Sequence, residues 1–218
     1  MALLRVIMKR LFLLIIVLMS GCWLCKDSVH NSKTTNEAIW VYLGGLTLEQ
    51  DSEKETNWRM LDQISKNLNV KFIIIPPKYR CAHFDNKFCW PHETKELLQK
   101  TYHYIQEYTQ DMHVSGYIGF SNGGFFLSAL MQEIPINQHM ILIGASGQLK
   151  SDATIHARSI TLIIGEHDDY HYRYAKKFAQ DLKDNNFPVT LIEYDGGHEI
   201  PEYIVEDRLK TLSSKDKI

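Results

Sequence analysis

Residues 117–130 read YIGFSNGGFFLSAL: an apolar run closes at Gly119, Ser121 follows, and Gly123 and Gly124 precede a second apolar run. A serine between glycines is either a surface turn or a turn built to present a hydroxyl, and the segments around it decide which. Short apolar runs recur at 38–43 (AIWVYL), 70–75 (VKFIII), 115–120 (SGYIGF), 140–145 (MILIGA), 160–164 (ITLII) and 189–194 (VTLIEY). Most are apolar at consecutive positions, the pattern of strands covered on both faces of a parallel sheet. Amphipathic segments separate them. Residues 52–69 open with Ser52 and Glu55 in capping-box spacing and place Trp58, Leu61, Ile64 and Leu68 on one face. Residues 93–108 repeat the pattern with Leu98, Tyr102 and Ile105, and residues 173–186 with Tyr174, Phe178 and Leu182. The alternation predicts an α/β fold: a single-domain three-layer α/β/α sandwich over 38–218, with a mostly parallel sheet of about six strands.

In that layout Ser121 lies where a strand ends and a helix begins, at the sheet edge where open α/β folds bind ligands. Gly119-Phe120-Ser121-Asn122-Gly123 is a G-x-S-x-G pattern. A sharp strand-to-helix turn lifts the hydroxyl clear of the sheet, and the glycines let strand and helix pass closely. A hydroxyl is a weak nucleophile and needs a base, itself oriented by a carboxylate. Both follow in the order this architecture requires. Asp168 comes three residues after the glycine that closes the run at 160–164, and His198 lies past the last strand and is read as opening the final helix. Asp169 and then Glu166 are the alternatives to Asp168. The helix N-terminus aims the Asn122 N–H at an oxyanion, and Gly45 or Leu46, after the first strand, supplies a second donor.

The cluster GEHDDYHYR also holds His167, Asp168, Asp169 and His171, all metal-ligating types. Adjacent residues rarely converge on one ion, so no metal and no cofactor is expected. A net charge of −2 without a long basic run excludes nucleic acid as a partner.

The first residues do not belong to the domain. MKRLFLLIIVLMSGC (8–22) has a basic start, an apolar stretch too short to span a bilayer, and small residues before Cys22. It reads as a signal peptide over 1–21 and resembles the lipobox of bacterial lipoproteins, with Met19 at the usual leucine position. Cys22 is then the acylated N-terminus and a membrane anchor, and residues 22–37 form a polar tether. The expected location is the cell envelope, facing the periplasm or exterior; plain secretion is the alternative. Cys25 is left without a role. In an oxidising compartment Cys81 and Cys89 are expected to pair, closing a short loop for about 2–3 kcal/mol.

The segments GFSNGG, GEHD and YDGGHE, in this order, resemble the α/β-hydrolase superfamily, especially its small phospholipase/carboxylesterase-like members, over about residues 38–212. The resemblance implies a Ser-His-Asp hydrolase working through an acyl-enzyme. The chain departs from the family in having Leu43-Gly44 where a His-Gly pair is frequent. Between the runs at 140–145 and 160–164 there is no room for the helical cap of many relatives, so the site is expected to be open. The link PPKYRCAHFDNKFCWPH overhangs the same edge, and its Arg80, Phe84, Phe88 and Trp90 either line a pocket or pack beneath the loop. The reading is an exported serine hydrolase of small-molecule or lipid carboxylic esters. A thioesterase or peptidase with the same three residues is one alternative. The other is a non-catalytic envelope lipoprotein that uses the fold to bind.

Overall fold

In the computed structural model, residues 37–48, 50, 57–84 and 86–215 are described. The signal segment, Cys22, Cys25, nearly all of the tether, and the Ser52–Glu55 pair lie outside them. Six strands belong to one sheet: β1 (Ala38–Leu43), β2 (Val70–Ile75), β5 (Val114–Phe120), β6 (His139–Ile143), β7 (Ser159–Gly165) and β8 (Val189–Tyr194). Their order is β2-β1-β5-β6-β7-β8, and every neighbouring pair is parallel. Among the described residues five helices flank them: α1 (Trp58–Leu68), α2 (Lys95–Tyr108), α3 (Asn122–Glu133) and α4 (Tyr172–Asp184) between strands, and α5 (Glu202–Lys215) after the last.

The consecutive apolar residues of each strand divide between two cores, because successive side chains point to opposite faces. Val41, Leu43, Tyr117, Met140, Leu142 and Leu162 meet α2, α3 and α4 on one face. Trp40, Tyr42, Ile118, Ile141, Ile143 and Ile163 meet α1 and α5 on the other. Buried Thr161 is not apolar, and its hydroxyl accepts a 2.8 Å hydrogen bond from Arg208 Nε, which ties α5 to β7.

Two features bear on the site. Within the link after β2, β3 (Tyr79–Arg80) and β4 (Phe88–Cys89) pair antiparallel. The last helix begins at Glu202, so His198 stands in the preceding loop rather than at the helix start. Pro201 explains this. A residue before proline is driven out of helical geometry, and the Pro201 carbonyl becomes the first acceptor, receiving the N–H groups of Ile204 and Val205 at 3.0 and 3.1 Å.

From β1 the chain moves outward to β2, whereas from β5 it runs the other way through β6 and β7 to β8. The reversal leaves a crevice outside the carboxyl ends of β1 and β5. Gly44–Thr47 leave β1 there, and Ser121 leaves β5.

Candidate active site

Ser121 has φ 51° and ψ −117°, a conformation rare for a residue with a side chain, and it N-caps α3. Main-chain bonds hold it there: its N–H donates to Ile143 O at 2.9 Å, and its carbonyl accepts from Phe125 N at 3.0 Å. The turn needs its glycines. A Cβ on Gly119 would come within 2.5 Å of Gly123 O, and one on Gly123 within 2.2 Å of Leu43 O. As the first residue of α3, Asn122 has no intrahelical acceptor for its N–H. Its side-chain oxygen instead accepts from Trp90 N at 2.7 Å.

The β1 loop packs onto this elbow. Gly44 O accepts from both Gly123 N (3.1 Å) and the Trp90 indole N–H (3.0 Å). The Cβ position of Gly45 lies 3.2 Å from Ser121 Cβ and 3.7 Å from its Oγ. Leu46 follows, half-buried, and Thr47 exchanges two main-chain bonds with Phe88 on the hairpin, at 2.7 and 3.2 Å. Of the hairpin residues read as pocket or packing, Trp90 is fully buried and Phe88 nearly so, with the Arg80 guanidinium over the Phe88 ring; Phe84 is exposed. The buried aromatics are packing, and they fix the loop beside Ser121. Cys81 and Cys89 are both free thiols in this structure, so the expected bond is not formed here. The hairpin register places Cys89 opposite Tyr79, while Cys81 N bonds to Lys87 O, so the two cysteines are diagonal neighbours. Burial first, then the hydrogen bond and charge of Cys81, push the Cys89 thiol up to about 12.

The side of the site carrying Asp168 and His198 is built from side chains. Asp168 is 4% exposed in the loop between β7 and α4. Its Oδ2 accepts from His198 Nδ1 at 2.6 Å, whereas Asp169 and Glu166 are exposed. A second imidazole, which the sequence offered only as a metal-type residue, shares this carboxylate. His171 Nδ1 lies 2.9 Å from Asp168 Oδ1 and 3.2 Å from Oδ2, and the His171 N–H donates to Oδ1 at 3.1 Å. The signal was its i+3 spacing from Asp168 at a helix entrance. Facing a carboxylate, which only accepts, both rings present an N–H at Nδ1. Burial by itself would raise the Asp168 carboxyl, but hydrogen bonds from His198 and then His171 outweigh it and hold the group below its ordinary value.

The loops carrying Asp168 and His198 are joined by main-chain bonds, Glu166 N to Tyr194 O at 2.8 Å and His167 N to Gly196 O at 2.9 Å. Tyr194 OH donates to the carbonyls of Gly197 and Glu199, on either side of His198. The His198 ring lies 5.1 Å from Phe120 and 4.7 Å from His171, which brings it beside the elbow. No hydrogen bond joins it to Ser121 Oγ in this structure. Catalytic hydrogen bonds often tighten only when substrate is bound. The segment between β6 and β7 contains no helix and no cap. A groove of about 400 Å³ runs along α3, lined by His92, Leu98, Phe125, Ser128, Ser146 and Gln148. Ser121 and His198 are not in its wall; Phe125, whose ring lies 5.4 Å from His171, connects it to the site.

A serine at positive φ on a strand–helix turn, at the switch point of a parallel sheet and beside a histidine–aspartate pair, defines the α/β-hydrolase class. The comparisons agree. The chain resembles esterase PE8 (TM-score 0.63, 15% identity, 81% of this chain and 93% of that one). It also resembles Arabidopsis thaliana SOBER1 (0.62, 15%, 82% and 98%) and Zea mays acyl-protein thioesterase 2 (0.60, 21%, 81% and 94%). At these identities the likeness establishes the fold. No curated protein sequence matches. The model of the family described as Serine hydrolase (FSH1) matches residues 50–206, well over half of the chain. The chain belongs to this family and is a serine hydrolase.

Proposed function

We propose that Ser121, His198 and Asp168 form the catalytic triad of a carboxylic ester hydrolase. The observation that carries this is the 2.6 Å His198–Asp168 hydrogen bond at the sheet edge where Ser121 is held at positive φ. With its Nδ1 proton committed to Asp168, His198 accepts the Ser121 proton at Nε2 as Oγ attacks the ester carbonyl. The Asn122 N–H and an N–H of Gly45 or Leu46 receive the oxyanion. On collapse His198 protonates the departing alcohol, and water, activated by the same imidazole, releases the acid. Asp168 stays ionised throughout, because its hydrogen bonds favour the charged form. The esterase and thioesterase neighbours support acyl transfer to water as the reaction, and the open site fits a small-molecule or lipid ester.

The same reading includes export. Residues 1–21 act as a signal peptide and Cys22 as a lipid-carrying anchor in the cell envelope. In that oxidising compartment the neighbouring thiols Cys81 and Cys89 become a disulfide.

The test is labelling of the full chain by a fluorophosphonate probe, beside Ser121→Ala and His198→Ala. Labelling of wild type alone, followed by turnover of p-nitrophenyl esters above matched thioesters and peptides, is the expected result. A folded wild type that does not react would instead make the domain a binding module. Membrane partitioning that is lost in Cys22→Ala tests the anchor.

A further inference from the structure

Three groups able to ligate a metal, Asp168, His171 and His198, offer donor atoms that all lie within 4.8 Å of one another. Two of them belong to the proposed triad. The third, His171, has no part in the ester mechanism above, yet it makes two contacts to the same carboxylate and lies with its ring 4.7 Å from that of His198, tilted by 31°. Both Nδ1 atoms point at one carboxylate, so their lone pairs would converge there if their protons were elsewhere. Access comes from the His198 side, whose side chain is 37% exposed, against 17% for His171 and 3% for Asp168. Phe120, Phe125 and Tyr170 pack around the two rings.

We propose that these three side chains form an inhibitory site for a divalent transition-metal ion, zinc in the first instance. The two-imidazole, one-carboxylate set suits zinc, with bonds of about 2.0–2.2 Å and water completing a tetrahedron. Such bonds set neighbouring ligand atoms about 3.3 Å apart. The present carboxylate–imidazole contacts of 2.6 and 2.9 Å must therefore open slightly to admit the ion.

The consequence for the reaction follows from the tautomers. Zinc takes the Nδ1 lone pair of His198, so the ring loses its Nδ1 proton to solvent and gains one at Nε2. It remains neutral overall, but Nε2–H cannot accept the Ser121 proton. The same ion removes Asp168 from His198. Magnesium, which prefers oxygen ligands and octahedral geometry, does not compete for this site.

The inhibition rests on the proposed triad; the binding does not, and the two are tested separately. Zinc titration of full-length Ser121→Ala by calorimetry, in a non-chelating buffer, measures the site without any activity. Its stoichiometry is expected to fall by one site when His171→Gln is added, and cobalt substituted for zinc is expected to give a tetrahedral visible absorption that disappears with the same change. In the esterase assay, micromolar zinc is expected to lower wild-type turnover at least tenfold, reversibly with chelator. His171→Gln, read against its own metal-free rate, should keep most of its activity, and magnesium should have no effect. Unchanged stoichiometry in the His171→Gln background overturns the site. Equal zinc sensitivity of wild type and His171→Gln overturns the inhibition through it. Inactivity of wild type toward every ester while zinc still binds would overturn the triad reading and leave the metal site standing.

Discussion

On one side of the sheet edge, Ser121 is positioned by main-chain atoms: Ile143 O, Phe125 N, and a β1 loop whose Gly44 carbonyl is held by Gly123 and Trp90. On the other side, His198 is positioned by side chains: the Asp168 carboxylate, the neighbouring His171, and a Tyr194 hydroxyl that grips its loop. The difference predicts how each half fails. The elbow is sensitive to added volume, because its contacts are backbone against backbone. The His198–Asp168 half, proposed as the acid–base pair, is expected to tolerate changes of shape better than a change in which atoms carry protons.

The largest effect expected of this contrast is on the acid–base side. Asp168→Asn keeps size and burial but offers His198 an amide, which no longer fixes the Nδ1–H tautomer. Loss of the orienting carboxylate in triads of this kind costs roughly 10⁴-fold in kcat. A steady-state assay on a p-nitrophenyl ester should show a drop of that order in protein that still folds, with some fall in Tm because folding holds this carboxyl below its ordinary value. A loss below tenfold would separate Asp168 from the chemistry.

The elbow should behave in the opposite way. In Gly123→Ala the new methyl meets the Leu43 carbonyl at 2.2 Å, and backbone cannot swing aside as a side chain can. Overpacking of this kind costs about 1–3 kcal/mol or more, and each kcal/mol moves Tm by roughly 2–4 °C in a domain of this size. Calorimetry should therefore show a clear fall in Tm together with the loss of activity. Unchanged Tm would mean that the elbow is less tightly closed than its contacts imply.

Trp90→Phe sharpens the contrast within the elbow. It keeps an aromatic ring in the buried slot and keeps the Trp90 main-chain bond to Asn122, but removes the indole N–H from Gly44 O. One such hydrogen bond is worth about 1 kcal/mol, several-fold in rate. If it serves to place the Gly45 N–H for the oxyanion, the loss falls on kcat and leaves KM alone. An equal change in both would make Trp90 a packing residue only.

The same division explains what could be read from the sequence. The elbow was legible because glycine spacing around a serine is itself the backbone constraint. The six sheet strands were legible because most of their positions are apolar in succession, even though the edge strands β2 and β8 carry exposed Lys71, Thr190 and Glu193. The hairpin was not, since strands of two residues, Tyr79–Arg80 and Phe88–Cys89, are too short for any period to show. In α4 the sequence favoured Tyr174, which is 52% exposed; the buried face is Ala175, Phe178, Ala179 and Leu182, and alanine marks a core face too weakly to be seen. Trp58, at the start of α1, is likewise 42% exposed. His171 was named only among metal-ligating types and set aside, because a polar residue near a helix entrance has many ordinary reasons to be there. Only the fold shows that it shares Asp168 with His198.

The smallest effect is expected at the far end of α3, and it tests whether that end is independent of the elbow. Glu133 bonds Lys150, in the segment after β6, and Lys95 of α2 at 3.2 Å. Hydrogen bonds from Lys150 and then Lys95 hold its carboxyl below the ordinary value. A carboxyl lowered by folding stabilises the folded state above the unfolded-state pKa, and that contribution disappears as pH falls through the depressed folded value. Both lysines are more than half exposed, so solvent screening keeps the contribution small. Glu133→Gln should lower Tm near neutrality by about 2 °C, with the gap to wild type closing as the pH is taken below the carboxylate range. Turnover should not change, because Ser121 is held by bonds at the opposite end of the helix. A fall in kcat without a pH-dependent Tm difference would mean that α3 transmits strain along its length, and the two halves of the site could then no longer be treated as separately built.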